Sequence, residues 1–169
     1  MANPKFTSVI TDILKREDST LSGVVTNDPS DRGGRTQFGL TQRYNPTEWA
    51  DGKVTQDEAR EAYWRKYVEA PGFHRIPDSH GALRTQLIDF GANSGPRVAI
   101  QKLQMALGVT VDGDLGPKTL AAIEASDPLK LNNQLVAERV TMLVKLCQKE
   151  PSQLKWLGGW CNRALEFIS

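Results

Sequence analysis

Between Lys15 and Gln42 the chain reads KREDSTLSGVVTNDPSDRGGRTQFGLTQ, a stretch in which carboxylates, turn formers and small residues are crowded together. Glu17 closes an amphipathic run. Asp28 and Asp31 follow in a turn-forming segment, and Gly33, Gly34, Thr36 and Gly39 come directly after. Two carboxyl groups flanking a cleft are what hydrolysis of a glycosidic bond requires: one protonates the leaving oxygen, and the other activates water or stabilises an oxocarbenium-like centre. The acid works best in a semi-apolar setting. Glu17 suits that role because it ends a helix whose other face is apolar. Asp28 or Asp31 would supply the second carboxylate, and Thr36 would hold a water or hydrogen-bond to a sugar. Gly33 and Gly34 permit a turn that other residues would not make, and Gly39 permits close backbone approach. A plainer reading fits the same residues: a solvated helix end, then a turn in which Asp side chains satisfy backbone N–H groups. Spacing alone does not choose between them.

Composition excludes several other chemistries. The 169 residues carry a net charge of +1, with Lys and Arg scattered rather than clustered, so neither a nucleic-acid stripe nor a basic membrane-binding helix is present. No glycine-rich phosphate loop occurs, and His74 and His80 belong to no zinc-type cluster; no metal or organic cofactor is expected. Cys147 and Cys161 lie in separate apolar helical patterns and read as reduced, buried thiols. The N-terminal segment MANPKFTSVITDILKRED lacks the apolar core and cleavage site of a signal peptide, and no run reaches membrane-spanning length. The chain is therefore expected in a bacterial-type cytoplasm, with a separate agent releasing it to any target outside.

The elements that must position these residues are mostly helical. Phe6, Val9, Ile10, Ile13 and Leu14 recur at helical spacing up to Glu17. GVVTND and TQFGLT, separated by turn formers, read as a small irregular β-hairpin or loop. Helix resumes at TQDEAREAYWRKYVEA, where Thr55 and Glu58 form a capping-box pattern. HGALRTQLIDFGANSG reads as a buried helix with Leu83, Leu87, Ile88 and Phe90 facing the core. Pro96, Pro117, Pro128 and Pro151 stand where further helices should start, and the longest runs from about Pro128 to Lys149. The expected fold is mainly α, a helical bundle with one small irregular β-hairpin near the active site. Trp64, with Tyr63 and Tyr67, reads as core. Trp49, in the polar loop NPTEWADG, reads as a groove-lining ring.

The stretch from Glu17 onward resembles the signature of the glycoside hydrolase family 108 muramidases, the phage-endolysin and secreted-lysozyme group. The matching residues are Glu17, Asn27-Asp28-Pro29, Asp31, Gly33-Gly34, Thr36 and Phe38-Gly39-Leu40-Thr41. Two departures stand out: Val25 occupies the place of the family's tyrosine, and DSTLSG inserts about five residues after the glutamate. DFGANSGPRVAIQKLQMALGVTVDGDLGPKTLAAIE is similar to the peptidoglycan-binding half that accompanies this family, and LGGWCNRALEFI to its C-terminal end.

The resemblance implies an α+β lysozyme-like fold with a hydrolase lobe at residues 1–92. A helical peptidoglycan-binding lobe at 93–169 would pack on it. It implies an endolysin cutting the β-1,4 bond between N-acetylmuramic acid and N-acetylglucosamine, active as a monomer and released to the wall by a holin. Glu17 would be the general acid, Asp28 the second carboxylate with Asp31 as alternative, and Thr36 a supporting group. Asn27, Gln37, Trp49 and Asn93 would contact substrate. A lytic transglycosylase, needing one carboxyl, and a non-catalytic wall-binding or secretion-helper module are the rival readings.

Overall fold

The first helix, α1 (Thr7–Glu17), buries Val9, Ile10, Ile13 and Leu14 and leaves Lys15, Arg16 and Glu17 outward, the pattern its apolar spacing dictates. These statements come from a computed structural model that describes residues 6–27 and 34–169. The described chain is mainly helical with one two-stranded antiparallel sheet, as expected from the sequence.

It divides into two compact units, Met1–Ala70 and Pro71–Ser169. The expected lobe boundary at residues 92/93 falls within α3 (Gly81–Ser94) of the second unit.

In the first unit, α1 packs on α2 (Gln56–Trp64), and the rings of Phe6 and Trp64 meet at 4.9 Å between centroids. The predicted capping box forms: the Glu58 N–H donates to Thr55 Oγ1, and the Glu58 carboxylate accepts from the Thr55 N–H at 2.8 Å. A π-helical turn, Arg65–Glu69, continues α2.

The hairpin differs from expectation. Its strands are β1 (Thr36–Gln37) and β2 (Leu40–Thr41), so TQFGLT folds back on itself instead of pairing along its length with GVVTND. Phe38 and Gly39 form the two-residue loop with φ of 50° and 75°, the doubly positive combination that matches the twist of paired strands. From GVVTND, Thr26 pairs with the hairpin's backbone through an antiparallel bridge to Thr36.

The second unit is organised around α6 (Pro128–Lys149), which contacts α3, α4 (Pro96–Leu107) and α7 (Leu154–Leu165). Short α5 (Pro117–Glu124) packs on α4. Pro96, Pro117 and Pro128 each occupy a first-turn position, where a missing N–H costs nothing, whereas Pro151 opens a 3₁₀ turn that precedes α7. Leu83, Leu87, Ile88 and Phe90 are fully buried as read from the sequence.

Two buried polar centres hold this unit. Gln104 donates to the Asp112 carboxylate, the Asp114 carbonyl and Thr119 Oγ1, and accepts from the Gly113 N–H, so one amide fixes the whole VDGD turn. Asp89 on α3 accepts from Arg139 on α6 at 2.9 Å and from Arg163 on α7 in a two-pronged contact at 2.7 and 3.0 Å. Cys147 is buried and Cys161 only half-buried; both thiols are free. His80 is buried, bonded through its ring nitrogens to Ser79 and Ser126.

Candidate active site

Glu17 is the last residue of α1 and is exposed, while Ile13 and Leu14 one turn earlier are buried. The chain then turns through Asp18, whose carboxylate accepts from the Gly23 N–H at 2.7 Å, the Thr20 N–H at 3.2 Å and Thr20 Oγ1 at 3.0 Å, with Ser22 Oγ at 3.4 Å. The Gly23 N–H, the largest influence, draws the Asp18 carboxyl below its ordinary value against a smaller opposing effect of burial; Thr20 and Ser22 add to it. The inserted DSTLSG segment is thus wound around one carboxylate and has a defined path. Leu21 at φ 51° and Gly23 at φ 64° make its reversals.

The loop is then tied to the hairpin. The Thr26 and Thr36 backbones exchange hydrogen bonds of 2.9 and 2.8 Å. The Gln37 amide donates to the Gly23 carbonyl and accepts from the Val54 N–H, both at 2.7 Å. The Phe38 ring lies against Gly23, where a Cβ would come within 2.6 Å of Cζ.

At the hairpin tip, a Cβ on Gly39 would meet Tyr63 Oη at 2.5 Å and Glu17 Cγ at 3.0 Å. Only glycine lets the strand turn pass between the two side chains. Tyr63 Oη donates to the Phe38 carbonyl at 3.3 Å, and burial first, then the negative charge of Glu17, pushes the phenol well above its ordinary value. The Tyr63 hydroxyl is therefore a neutral donor beside Glu17.

These pieces enclose a groove of about 330 Å³ lined by Glu17, Asp18, Ser19, Val24, Thr26, Thr36, Phe38 and Gly39. One end is polar and the wall of Val24 and Phe38 apolar, the semi-apolar setting a carboxylic acid catalyst uses. Asp18 lines it too, but its oxygens are engaged by the loop.

Of the residues singled out in the sequence, Glu17 and Thr36 meet in this groove. Among the described residues, Thr36 Oγ1 donates to the Gly34 carbonyl at 3.4 Å. Asn27 is exposed beyond the Thr26 bridge. Asp28 and Asp31 lie outside the described residues. Gln37 points inward, with both ends of its amide engaged by backbone, and acts as a staple.

Trp49 corrects the expectation of a groove-lining ring. It is 4 % exposed, its indole N–H donates to the Leu40 carbonyl at 3.0 Å, and the Arg35 guanidinium stacks over its ring. The polar loop around it satisfies its own backbone and leaves the indole free to be buried. Trp64 is half-buried against Phe6 rather than deep core. Asn93 belongs to the second unit. Tyr63 was legible only as a helix-face aromatic; the signal for more is that a buried phenol needs a partner. Among the described residues no group of three or more His, Cys, Asp or Glu side chains could hold a metal.

Comparison with known proteins adds an independent line. Residues 10–95 match the family model "Glycosyl hydrolase 108", and residues 98–165 match "Predicted Peptidoglycan domain". Among solved structures, SagA of Brucella abortus superposes with a TM-score of 0.64 at 25% identity, covering 96% of this chain and 95% of that one. No curated protein sequence matches.

Proposed function

The chain belongs to the glycosyl hydrolase 108 family, and from that premise we propose that it cuts the β-1,4 bond between N-acetylmuramic acid and N-acetylglucosamine, as a lysozyme of the endolysin type. At the coarser level it is a glycoside hydrolase acting on peptidoglycan, with a peptidoglycan-binding domain in its C-terminal half. The observation that carries the finer reading is the groove lined by Glu17, at the end of α1, by Thr36 and by the hairpin tip, with the Tyr63 phenol beside Glu17.

In this mechanism Glu17 protonates the glycosidic oxygen as the bond to the anomeric carbon breaks. Thr36, with a hydroxyl only weakly held, hydrogen-bonds to the sugar or to the incoming water. Asp28 supplies the second carboxylate, with Asp31 as the alternative, just past the Thr26–Thr36 bridge in sequence. The tethered Tyr63 and Gly39 keep the Glu17 methylenes against the hairpin, limiting the directions its carboxyl can take.

The reading assigns residues 1–92 to the hydrolase lobe and 93–169 to the peptidoglycan-binding lobe. It also makes the enzyme a monomer that lyses its bacterial host once a holin gives it access to the wall. No helix among the described residues is long and apolar enough to cross a membrane.

The test is Glu17→Gln, which keeps size and removes the titrating proton. Turbidity clearing of permeabilised cells should fall by at least about 10², the lower bound for general acid catalysis, while pelleting with sacculi persists. Clearing at the parent rate would remove Glu17 from the reaction.

A further inference from the structure

The second unit holds a cavity that neither family match assigns. It has a volume of about 360 Å³, at the small end of ligand pockets, roughly 300–1,000 Å³. Asn93 and Ser94 at the end of α3 form its polar edge. Val98 of α4 and Met142, Leu143 and Leu146 of α6 form the apolar wall, and Trp160 of α7 closes it.

Three features define what it would take. The lining carries no charged side chain, so a ligand bearing carboxylates would lose hydration there without an ionic partner. The Asn93 amide, the Ser94 hydroxyl and the Trp160 indole N–H make no hydrogen bond within the described protein, although Ser94 and Trp160 are half-buried. That leaves both donors and acceptors to offer. The remaining surface is an aromatic ring facing aliphatic side chains, which suits a ligand with an apolar face and polar edges.

A neutral N-acetylated sugar has this character: a C–H face, an acetamido methyl, and hydroxyl and amide groups on its rim. The stem peptide of peptidoglycan does not, because its acidic residues are charged. We infer that this cavity is a binding site for a neutral N-acetylhexosamine unit of the glycan strand. Trp160 stacks on the sugar face, Leu143 and Leu146 receive the acetamido methyl, and Asn93 and Ser94 bond the rim. The inference rests on the reading of the second half as peptidoglycan-binding, and names the part of the polymer it holds.

The experiment is an NMR titration of the isotope-labelled full chain carrying Glu17→Gln, so that no bond is cut. The first probe is chitotriose, a neutral β-1,4-linked N-acetylglucosamine trimer. The second is the dipeptide L-alanyl-D-isoglutamine with a free carboxylate. Chitotriose should shift the Trp160 indole and Asn93 side-chain amide signals, and the dipeptide should leave them still. Trp160→Ala should abolish the shift of the Asn93 side-chain amide. Asn93→Ala/Ser94→Ala, which leaves the apolar wall and Trp160 in place, should weaken chitotriose binding at this site at least about fivefold, the equivalent of one neutral hydrogen bond.

Chitotriose shifts confined to the Glu17–Thr36 groove would overturn the inference. So would cavity shifts produced by the dipeptide and not the sugar, or an unchanged affinity in the double variant. A parent chain that fails to cleave glycan yet shows these cavity shifts would count against the proposed reaction alone. Full cleavage with silent cavity signals would count against the cavity alone.

Discussion

Gly39→Ala probes the contact on which the groove depends. The alanine Cβ would sit 2.5 Å from Tyr63 Oη and 3.0 Å from Glu17 Cγ, and the backbone there holds φ 75°. The left-handed conformation costs an L-residue about 1–2 kcal/mol. Forcing a methyl against a buried side chain costs about 1–3 kcal/mol more, because the Tyr63 ring is held in the core. Destabilisation of roughly 2–5 kcal/mol is expected, read by urea denaturation. The Glu17 side chain must also move, and a displacement of about 1 Å of a catalytic group can cost about 10² in rate. Tyr63→Phe provides the internal control. Alone it removes one hydrogen bond to the Phe38 carbonyl, at about 1 kcal/mol. In the Gly39→Ala background it also removes the closest clash. The two changes should therefore be non-additive, with a coupling of at least about 1 kcal/mol in the direction of rescue. Part of the clearing rate should return with it. Strict additivity, or a Gly39→Ala chain as stable and active as the parent, would refute the reasoning.

Two further perturbations test the supports of the two units. Asp18→Asn should loosen the Thr20–Gly23 loop and lower stability at neutral pH. The Asp18 carboxyl is drawn below its ordinary value of 3.8 in the folded chain, so its contribution is present above that value and is lost as pH falls through the lower folded one. Denaturation curves of parent and variant should accordingly converge in strong acid, and a constant gap at all pH values would argue against it. Asp89→Asn removes the carboxylate charge that Arg139, which is 1 % exposed, meets at 2.9 Å, and should cost about 3–5 kcal/mol in thermal or urea unfolding. A loss within error of zero would show that Arg163 and Arg139 do not depend on it.

What the sequence made legible follows from which signals are local. The span from about Pro128 to Lys149 was readable because Pro128 occupies its first position and its apolar residues repeat with helical period; the structure adds the Asp127 cap. The Thr55–Glu58 box was readable for the same reason. The hairpin was displaced because NDPSDRGG carries every turn signal, whereas the observed two-residue loop places Phe38 at φ 50°, where asparagine or glycine is the usual choice. Tertiary contacts hold Phe38 there: its ring on Gly23 and its carbonyl on Tyr63. Trp49 misled because a polar neighbourhood in sequence says nothing about the Leu40 backbone carbonyl, which comes from β2. Gln104 and Asp89 escaped, and Gln37 was read as a substrate contact, for a related reason. A buried polar residue looks like any surface one until its partners, many residues away, are in place. The groove itself was half legible: Glu17 and Thr36 were named from type and spacing, while Tyr63 and the Asp18-centred loop needed the fold.

The most direct test of the central claim is the chemistry of the cut ends. Purified sacculi digested by the parent chain in ¹⁸O-labelled water, with Glu17→Gln as the control, can be analysed by mass spectrometry. Hydrolysis at the proposed bond predicts fragments ending in reducing N-acetylmuramic acid that carry one ¹⁸O at the new end, and none of them from the variant. Fragments ending in 1,6-anhydro-muramic acid without label would make the protein a lytic transglycosylase, and labelled N-acetylglucosamine ends would place the cut at the other glycosidic bond.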